Sequence, residues 1–317
     1  RPAAAKAFCP GSFHRGDRTD DMASDPPEFD YDVDTALVTG ATGAVGSWVV
    51  DRLADGGVDV VGVDRDRPDG TRFNATFRAV DLAEQGPTAE TVQEVDPDAV
   101  VHVAATSDPG EAPGTRLFDN NVRSTYNTLV AAGRAGADVV WTSSQAVYGM
   151  LFAAEPWVPD SLPVTEAHPR RPEDPYGASK LCGEEVAAMV ARRHGVPVAT
   201  LRPSTVYTPG EYRARPKTER YDLSSAELSG NFWSYVDVRD VARMVEAALA
   251  ADLEGHEAFN CVADENYLGH PTAALIEATG HDLPADCTLE GDAAALSNAK
   301  AAERLGWRPA HSWRAAE

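Results

Sequence analysis

The stretch that most narrows the possible folds is Thr39-Gly40-Ala-Thr42-Gly43-Ala44-Val45-Gly46, set between an apolar run, Ala36-Leu37-Val38, and the helical pattern Val45, Val49, Val50, Leu53. It reads as strand, glycine turn and helix. Three glycines at this spacing let the backbone turn tightly, approach a pyrophosphate and pack the helix on its strand, while the helix N-terminus offers free N–H groups and a positive dipole. A chain that opens this way is committed to a parallel α/β sheet. The rest of the sequence keeps the pattern. Apolar, β-branched runs at Thr35–Thr39, Asp59–Asp64, Phe77–Asp81, Ala99–Ala104, Asp138–Ser143 and Val198–Pro203 predict buried strands. Helices are expected between them at about 44–56, 88–95, 115–135 and 176–194. Such alternation predicts a Rossmann-type, doubly wound parallel sheet with ligands at the carboxyl ends of its strands.

Past about residue 204 the alternation breaks into a Pro/Arg/Glu-rich loop (208–230), a helix near 237–251, a strand near 256–263 and two short helices. The expected division is a nucleotide-binding domain over 35–205 and a small α/β substrate-binding cap over 206–317, with about 235–263 returning to the main sheet. Residues 1–34 lack periodicity and are expected to be disordered, with Met22 the expected start of translation.

Asp64 closes the second strand, where a carboxylate can accept both hydrogen bonds of an adenosine ribose and repel a 2′-phosphate, which favours NAD. Arg65 beside it leaves a 2′-phosphate as the alternative. Asp81 and Leu82, after the third strand, stand where adenine would lie. The second chemical signal is Tyr176-Gly-Ala-Ser-Lys180, which puts a phenol and an ammonium on one helix face, within reach of one substrate atom. With the glycine turn it points to dinucleotide-dependent redox chemistry.

Composition excludes several other classes. The net charge is −22, with 50 acidic against 28 basic residues, only four of them lysine. Such a surface repels nucleic acids and anionic membranes, and fits a halophilic protein whose self-repulsion salt would screen. Four dispersed cysteines form no C-x-x-C pair, which signals neither zinc nor a disulfide framework and implies a reducing cytoplasm. No run reaches the ~18 apolar residues of a membrane span.

Ordered motifs from about Thr35 to Trp313 carry a resemblance. T-G-x-x-G-x-x-G, His102-Val-Ala104-Ala105, Asn120-Asn121-Val122, Ser143-Ser144-x-x-Val147-Tyr148-Gly149, Y-x-x-x-K, Leu201-Arg202-Pro203, Tyr235-Val-Asp237-Val-Arg-Asp240 and Leu305-Gly306-Trp307 follow one another. This order resembles the extended short-chain dehydrogenases/reductases, the NAD-dependent epimerase/dehydratase family. The resemblance implies an enzyme in which Tyr176 is the general acid/base. Lys180 would hold the nicotinamide ribose and lower the phenol's pKa by its charge, and Ser144 would orient the reacting oxygen. Asn121 would sit beneath the site, and Ala104, Ala105 and Pro203 would border the cofactor. It also implies a homodimer formed by the helices near 115–135 and 176–194, through Ala131, Ala132, Ala135, Ala187, Ala188 and Ala191.

Departures from the family pattern narrow the chemistry. Gln145-Ala146 replaces the acidic pair of the dehydratases, which argues against 4,6-dehydration. Thr205 stands where nucleotide-sugar epimerases usually carry Asn, and Phe232-Trp233-Ser234 where they place an Arg for the diphosphate. The loop 211–229 is short for a nucleotide pocket, although Arg213, Arg215, Lys217 and Arg220 could serve there as anion ligands. The leading expectation is hydride transfer between NAD and a carbinol carbon of a small polyol, sugar or sugar acid. Gln145, Thr205 and Trp233 would line the substrate site, and Arg202, Arg213 or Arg215 would read a carboxylate. A UDP-sugar 4-epimerase with tightly bound NAD is the alternative. A non-catalytic NAD-binding protein is a second, against which the intact Ser144, Tyr176 and Lys180 argue. No metal site is expected.

Overall fold

A computed structural model describes residues 29–67, 75–107, 112–209 and 221–315. In chain order the elements are β1 (Thr35–Thr39), α1 (Gly46–Asp55), β2 (Asp59–Asp64), β3 (Ala75–Ala79), α2 (Gln85–Val95), β4 (Ala99–His102), α3 (Gly114–Ala135), β5 (Asp138–Thr142), β6 (Ser161–Leu162), α4 (Pro175–His194), β7 (Val198–Pro203), β8 (Thr205–Tyr207), β9 (Tyr235–Asp237), α5 (Val238–Ala250), β10 (His256–Cys261), α6 (Thr272–Ala278), β11 (Asp286–Cys287) and α7 (Ala299–Leu305). Seven strands form one parallel sheet in the order β10-β7-β5-β4-β1-β2-β3. The order reverses between β1 and β4, and such a switch point opens a crevice at the strands' carboxyl ends.

The sheet is buried on both faces, which is why its central strands read as continuous apolar runs. On one face Val49, Val50 and Leu53 of α1 pack with Val241, Met244 and Val245 of α5 and with Leu305 and Trp307 at the end of α7. On the other, Val92 of α2, Leu129 and Ala132 of α3 and Ala187 and Val190 of α4 cover Leu37, Val100, Val139 and Trp141. Each fully buried Val or Leu side chain contributes about 1.5–3 kcal/mol relative to exposure. A third apolar cluster sits above the carboxyl edge and draws on three stretches of chain: Val147 to Val164, Phe232 with Trp233, and Val262 to Leu296. This cluster draws in the segment after Tyr148, within the stretch expected to belong to the nucleotide-binding domain, while α7 packs on the main sheet.

Three expectations are corrected here. Strand β3 lies two residues earlier than Phe77–Asp81, because its register with β2 runs from Val60↔Ala75 to Asp64↔Ala79. Asp81 thus falls in the following turn, where its Oδ1 accepts the Ala83 N–H at 3.0 Å. Residues 1–28 lie outside the described residues, yet 29–34 are ordered rather than free. Phe29, Tyr31 and Val33 pack on the first cluster, and the Tyr31 hydroxyl donates to Glu246 at 3.3 Å. Finally, of the six alanines expected at the interface, Ala131, Ala132, Ala187 and Ala191 are buried against the sheet within this chain and not available to a second copy, while Ala135 is exposed and Ala188 half-buried. The large apolar side chains that α3 exposes are Phe118 and Tyr126.

Candidate active site

The glycine turn joins β1 to α1 with no spare room. A Cβ at Gly46 would fall 2.0 Å from the Gly40 carbonyl oxygen, and one at Gly40, whose φ is +65°, would fall 2.8 Å from the Ala104 Cα. Thr42, Gly43 and Ala44 form the exposed crest of the turn, and Val45 precedes α1 without any side chain capping the helix's first N–H groups. Asp64 ends β2 beside this crest. Its Oδ2 accepts the Thr42 N–H at 3.0 Å and the Thr42 hydroxyl at 2.6 Å, and its Oδ1 accepts the Arg65 N–H at 2.8 Å. Ala104 lies across the crevice against Gly40, Ala105 is exposed next to it, Pro203 ends β7 in register with Cys261, and Arg65 points to solvent. These residues fit NAD: the turn offers N–H groups to a pyrophosphate, and the Asp64 carboxylate suits a ribose diol and repels a 2′-phosphate. Leu82 departs from its expected place. Its side chain packs in the core under α3, and its carbonyl accepts Asn127 at 2.9 Å.

Helix α4 carries the expected acid/base pair. Asp174 caps it by accepting the Gly177 N–H at 2.8 Å, and Pro175 fits the first helical position, where no N–H is needed. One turn on, Lys180 is buried, and its Nζ donates to the Thr142 carbonyl at the end of β5 at 2.7 Å. That ammonium lies 5.8 Å from the Tyr176 ring centroid and 5.3 Å from that of Trp141. Ser144 accepts the Ala146 N–H at 3.1 Å, which starts a short 3₁₀ turn over Gln145–Tyr148.

Burial dominates both pKa values. Desolvation pushes the Tyr176 phenol up to about 12, with a hydrogen bond from Ser144 pulling it down and the Asp174 carboxylate adding to the rise. Desolvation likewise brings Lys180 down to about 7, against the attraction of Glu184. In a medium of low dielectric each group is held toward its neutral form.

Asn121 is fully engaged within the protein. Its Oδ1 accepts the Thr106 N–H at 2.9 Å, and its Nδ2 donates to the Thr106 carbonyl at 2.9 Å and to Ser179 at 3.2 Å, so it ties the loop after β4 to α4. Gln145 is buried at 4 % exposure and its Nε2 has no hydrogen-bond partner. The Thr205 hydroxyl accepts Asn231 Nδ2 at 2.8 Å. Trp233, expected to line the substrate site, is instead buried with Phe232 in the cap core. Arg202 is corrected as a carboxylate reader: its Nε and Nη2 hold Glu184 at 2.8 and 2.7 Å, and its Nη1 donates to Tyr148 at 2.9 Å. Arg213, Arg215, Lys217 and Arg220 lie outside the described residues.

Two groups of residues escaped the sequence reading. Thr39 Oγ1 accepts the Val103 and Ala104 N–H groups at 3.2 and 3.3 Å, so its own proton goes to His102 Nδ1 at 2.7 Å, and Nε2–H of His102 donates to Thr125 at 3.3 Å. Desolvation, then the Lys180 charge, holds this imidazole neutral, down at about 3. The group fixes the two loops that flank the crevice. The other is Glu184, four residues beyond Lys180 on the same helix face, which binds Ser143 at 2.9 Å and Arg170 at 2.8 Å besides Arg202. Its carboxyl stays below the usual range because those bonds outweigh burial. The i, i+4 spacing from Lys180 was the available signal. A cavity of about 1030 Å³ behind α4 is lined by Arg170, Glu184, Arg202, His256 and Lys300, and it shares no lining residue with the glycine turn or the Tyr176–Lys180 pair. Among the described residues no cluster of His, Cys, Asp and Glu could hold a metal ion, and no helix is long and apolar enough to cross a membrane.

Residues 36–261 match the NAD dependent epimerase/dehydratase family. A UDP-glucose 4-epimerase of Corynebacterium glutamicum is 30 % identical over 311 residues, covering 87 % of this chain and 91 % of that protein. An L-arabinose 1-dehydrogenase (NAD(P)(+)) of Haloferax volcanii is 33 % identical over 189 residues, 57 % of this chain and 71 % of its own length. A solved short-chain dehydrogenase/reductase superfamily protein from Agrobacterium tumefaciens, with bound NAD, superposes with a TM-score of 0.66 at 27 % identity, over 88 % of this chain and 94 % of that one. With a family match over most of the sheet, a relative aligned along nearly its whole length, and the glycine turn, Asp64, Ser144, Tyr176 and Lys180 gathered at one crevice, the chain belongs to the NAD-dependent epimerase/dehydratase family.

Proposed function

We propose that this enzyme is a net dehydrogenase, which oxidises a carbinol carbon of a small sugar or sugar acid and releases NADH. The observation that carries the reading is Trp233: where a nucleotide-sugar enzyme of the family would hold a diphosphate, this chain has an indole folded into the cap core. Arg202, the nearby buried cation, is already paired with Glu184. Losing a charge-assisted phosphate contact without compensation costs ~1.5–3 kcal/mol. The Haloferax volcanii relative, named as an arabinose dehydrogenase, supports the same direction.

In the proposed reaction NAD supplies the hydride acceptor. Tyr176 takes the proton of the substrate hydroxyl, and Ser144, whose hydroxyl pulls the phenol pKa down, orients the reacting oxygen. Lys180, held on the Thr142 carbonyl, is placed to hold the nicotinamide ribose. Gln145 offers its unpartnered amide to a second substrate oxygen. Because burial raises the phenol, oxidation accelerates as pH rises from neutral to alkaline. The second reading, a UDP-sugar 4-epimerase, is favoured by the near full-length alignment with the Corynebacterium glutamicum relative. We further propose a homodimer through the α3 face bearing Phe118 and Tyr126, working in a salt-rich cytoplasm where counterions screen the net charge of −22.

An absorbance screen for NADH in molar KCl, over aldoses, uronates and UDP-sugars, tests the reaction. Net NADH from an aldose or uronate is expected. Micromolar UDP binding by calorimetry, with conversion of a UDP-sugar and no NADH, would replace this reading by the epimerase. Tyr176→Phe should lower kcat 10²–10⁴-fold at nearly unchanged NAD affinity, and retention of more than about a tenth of kcat would remove Tyr176 as the acid/base.

A further inference from the structure

The catalytic phenol has a neighbour that the reaction does not explain. Phe152 stands edge-to-face to Tyr176, with ring centroids 6.3 Å apart and planes at 84°. Phe152, Leu151 and Ala112 pack around Tyr176, Leu117 and Ala146 in a small apolar cluster separate from the two faces of the sheet and from the cap core. Phe152 itself is only partly buried, whereas Tyr176 beside it is buried.

The segment that carries it is fixed at both ends. The backbone of Gly230 lies so close that a Cβ there would come 2.5 Å from the Met150 carbonyl oxygen and 2.6 Å from that of Leu151. On the other side Ala153 N–H bonds back to the Met150 carbonyl at 3.4 Å, and Ala154 N–H reaches Glu173 at 3.2 Å, one residue before the α4 cap. Gly230 leads into Phe232 and Trp233, two non-glycine residues at φ +50° and +57°. Such conformations persist only where their surroundings over-determine them. Here Asn231 does so: its Oδ1 accepts the Trp233 N–H at 3.0 Å, while its Nδ2 holds the Ser234 carbonyl at 3.1 Å and Thr205 at 2.8 Å. Cap, Phe152 segment and the start of α4 are thus one preset arrangement around the phenol.

We propose that Phe152 is the specificity-determining wall of the catalytic site, excluding water from Tyr176 and limiting the substrate to a compact ring that presents C–H edges to the aromatic side chain and an oxygen to the amide of Gln145. This inference rests on the small-substrate reading above and deepens it. A rigid apolar wall offers no donor or cation to a phosphate, and an aromatic face accepts apolar edges well. The dryness of the pocket agrees with the direction in which the phenol is pushed.

The test compares wild type, Phe152→Ala and the volume-sparing Phe152→Leu as full-length chains. In the NADH assay, Phe152→Ala should raise KM for the best aldose or uronate tenfold or more while kcat changes less, and narrow its preference over bulkier sugars by a similar factor. Phe152→Leu should recover most of both. Independently of any substrate, ultraviolet titration of the phenol, with Tyr176→Phe as the blank, should show Tyr176 ionising at least one pH unit lower in Phe152→Ala and close to wild type in Phe152→Leu. An unshifted phenol, or unchanged substrate preference in an active Phe152→Ala enzyme, overturns the proposal. Should the wild type oxidise no sugar at all, it is the reaction reading that falls, and the titration alone then decides for or against the wall.

Discussion

Replacing Gly46 by Ala adds one methyl group at the point where the cofactor turn has least room. The Cβ would lie 2.0 Å from the Gly40 oxygen, 2.7 Å from the Gly40 carbon and 3.1 Å from the Ala41 Cα. Because contacts shorter than 3.0 Å are essentially never adopted by real Cβ atoms, the Gly40 carbonyl and the start of α1 must separate by an ångström or more. Gly40 has little freedom to yield, since the Ala104 backbone lies so close that it leaves no room even for a Cβ on Gly40. Overpacking of this kind costs typically 1–3 kcal/mol, and a collision with backbone rather than a flexible side chain belongs at the upper end. With ~2–4 °C lost per kcal/mol in domains of this order, melting should fall by roughly 6–12 °C. The displaced atoms are those that shape the pyrophosphate cradle, so NAD affinity should fall about ten- to a hundredfold. Gly43→Ala is the internal control, because its Cβ meets the same oxygen at 3.2 Å and asks only a few tenths of an ångström of its neighbour. Scanning calorimetry and NAD titration calorimetry on the two variants in parallel read both effects. A Gly46→Ala protein that melts within about 2 °C of wild type and binds NAD within about twofold would refute the steric argument.

Lys180→Met should abolish turnover yet raise the melting temperature, most at low pH. The folded pKa lies near 7 against an ordinary 10.5, so the cost of the buried ammonium is complete below pH 7 and is relieved as pH rises toward 10.5. A gap in melting temperature that does not narrow between pH 6 and pH 9 would contradict this. Arg202→Met leaves Glu184 buried with its bidentate partner gone, and should cost about 3–5 kcal/mol in denaturant unfolding. The Arg202→Met/Glu184→Leu double variant should regain much of that loss, and strict additivity would show that the two side chains do not act as a pair. Phe118→Glu with Tyr126→Glu should give a monomer mass by light scattering in molar KCl where wild type gives a dimer. A wild-type monomer under those conditions, or a variant that stays dimeric, removes the α3 face as the interface.

Much of the molecule was legible in the sequence because its signals are local. The period of the apolar runs placed β1, β2 and β7 to the residue, and the glycine spacing of the first turn implied the β1-to-α1 junction before any contact was known. The four-residue step from Tyr176 to Lys180 likewise required only helix geometry. What the sequence could not supply were distances between residues far apart in the chain. Trp233 read as a pocket residue because it follows a motif position, but its backbone turns left-handed and the indole enters a core assembled from three separate segments. Arg202 read as a free guanidinium until β7 and α4 brought Glu184 against it. Ala131, Ala132, Ala187 and Ala191 read as an interface because periodicity gives the face a residue occupies and not what that face meets, and here the sheet takes them. Phe152 carried no signal at all, since an aromatic residue in an irregular segment becomes informative only once the fold sets it beside Tyr176. The pKa values of the acid/base pair depend on burial in the same way: the sequence determined which groups stand together on α4, and tertiary packing, by excluding water from both, decided their charge.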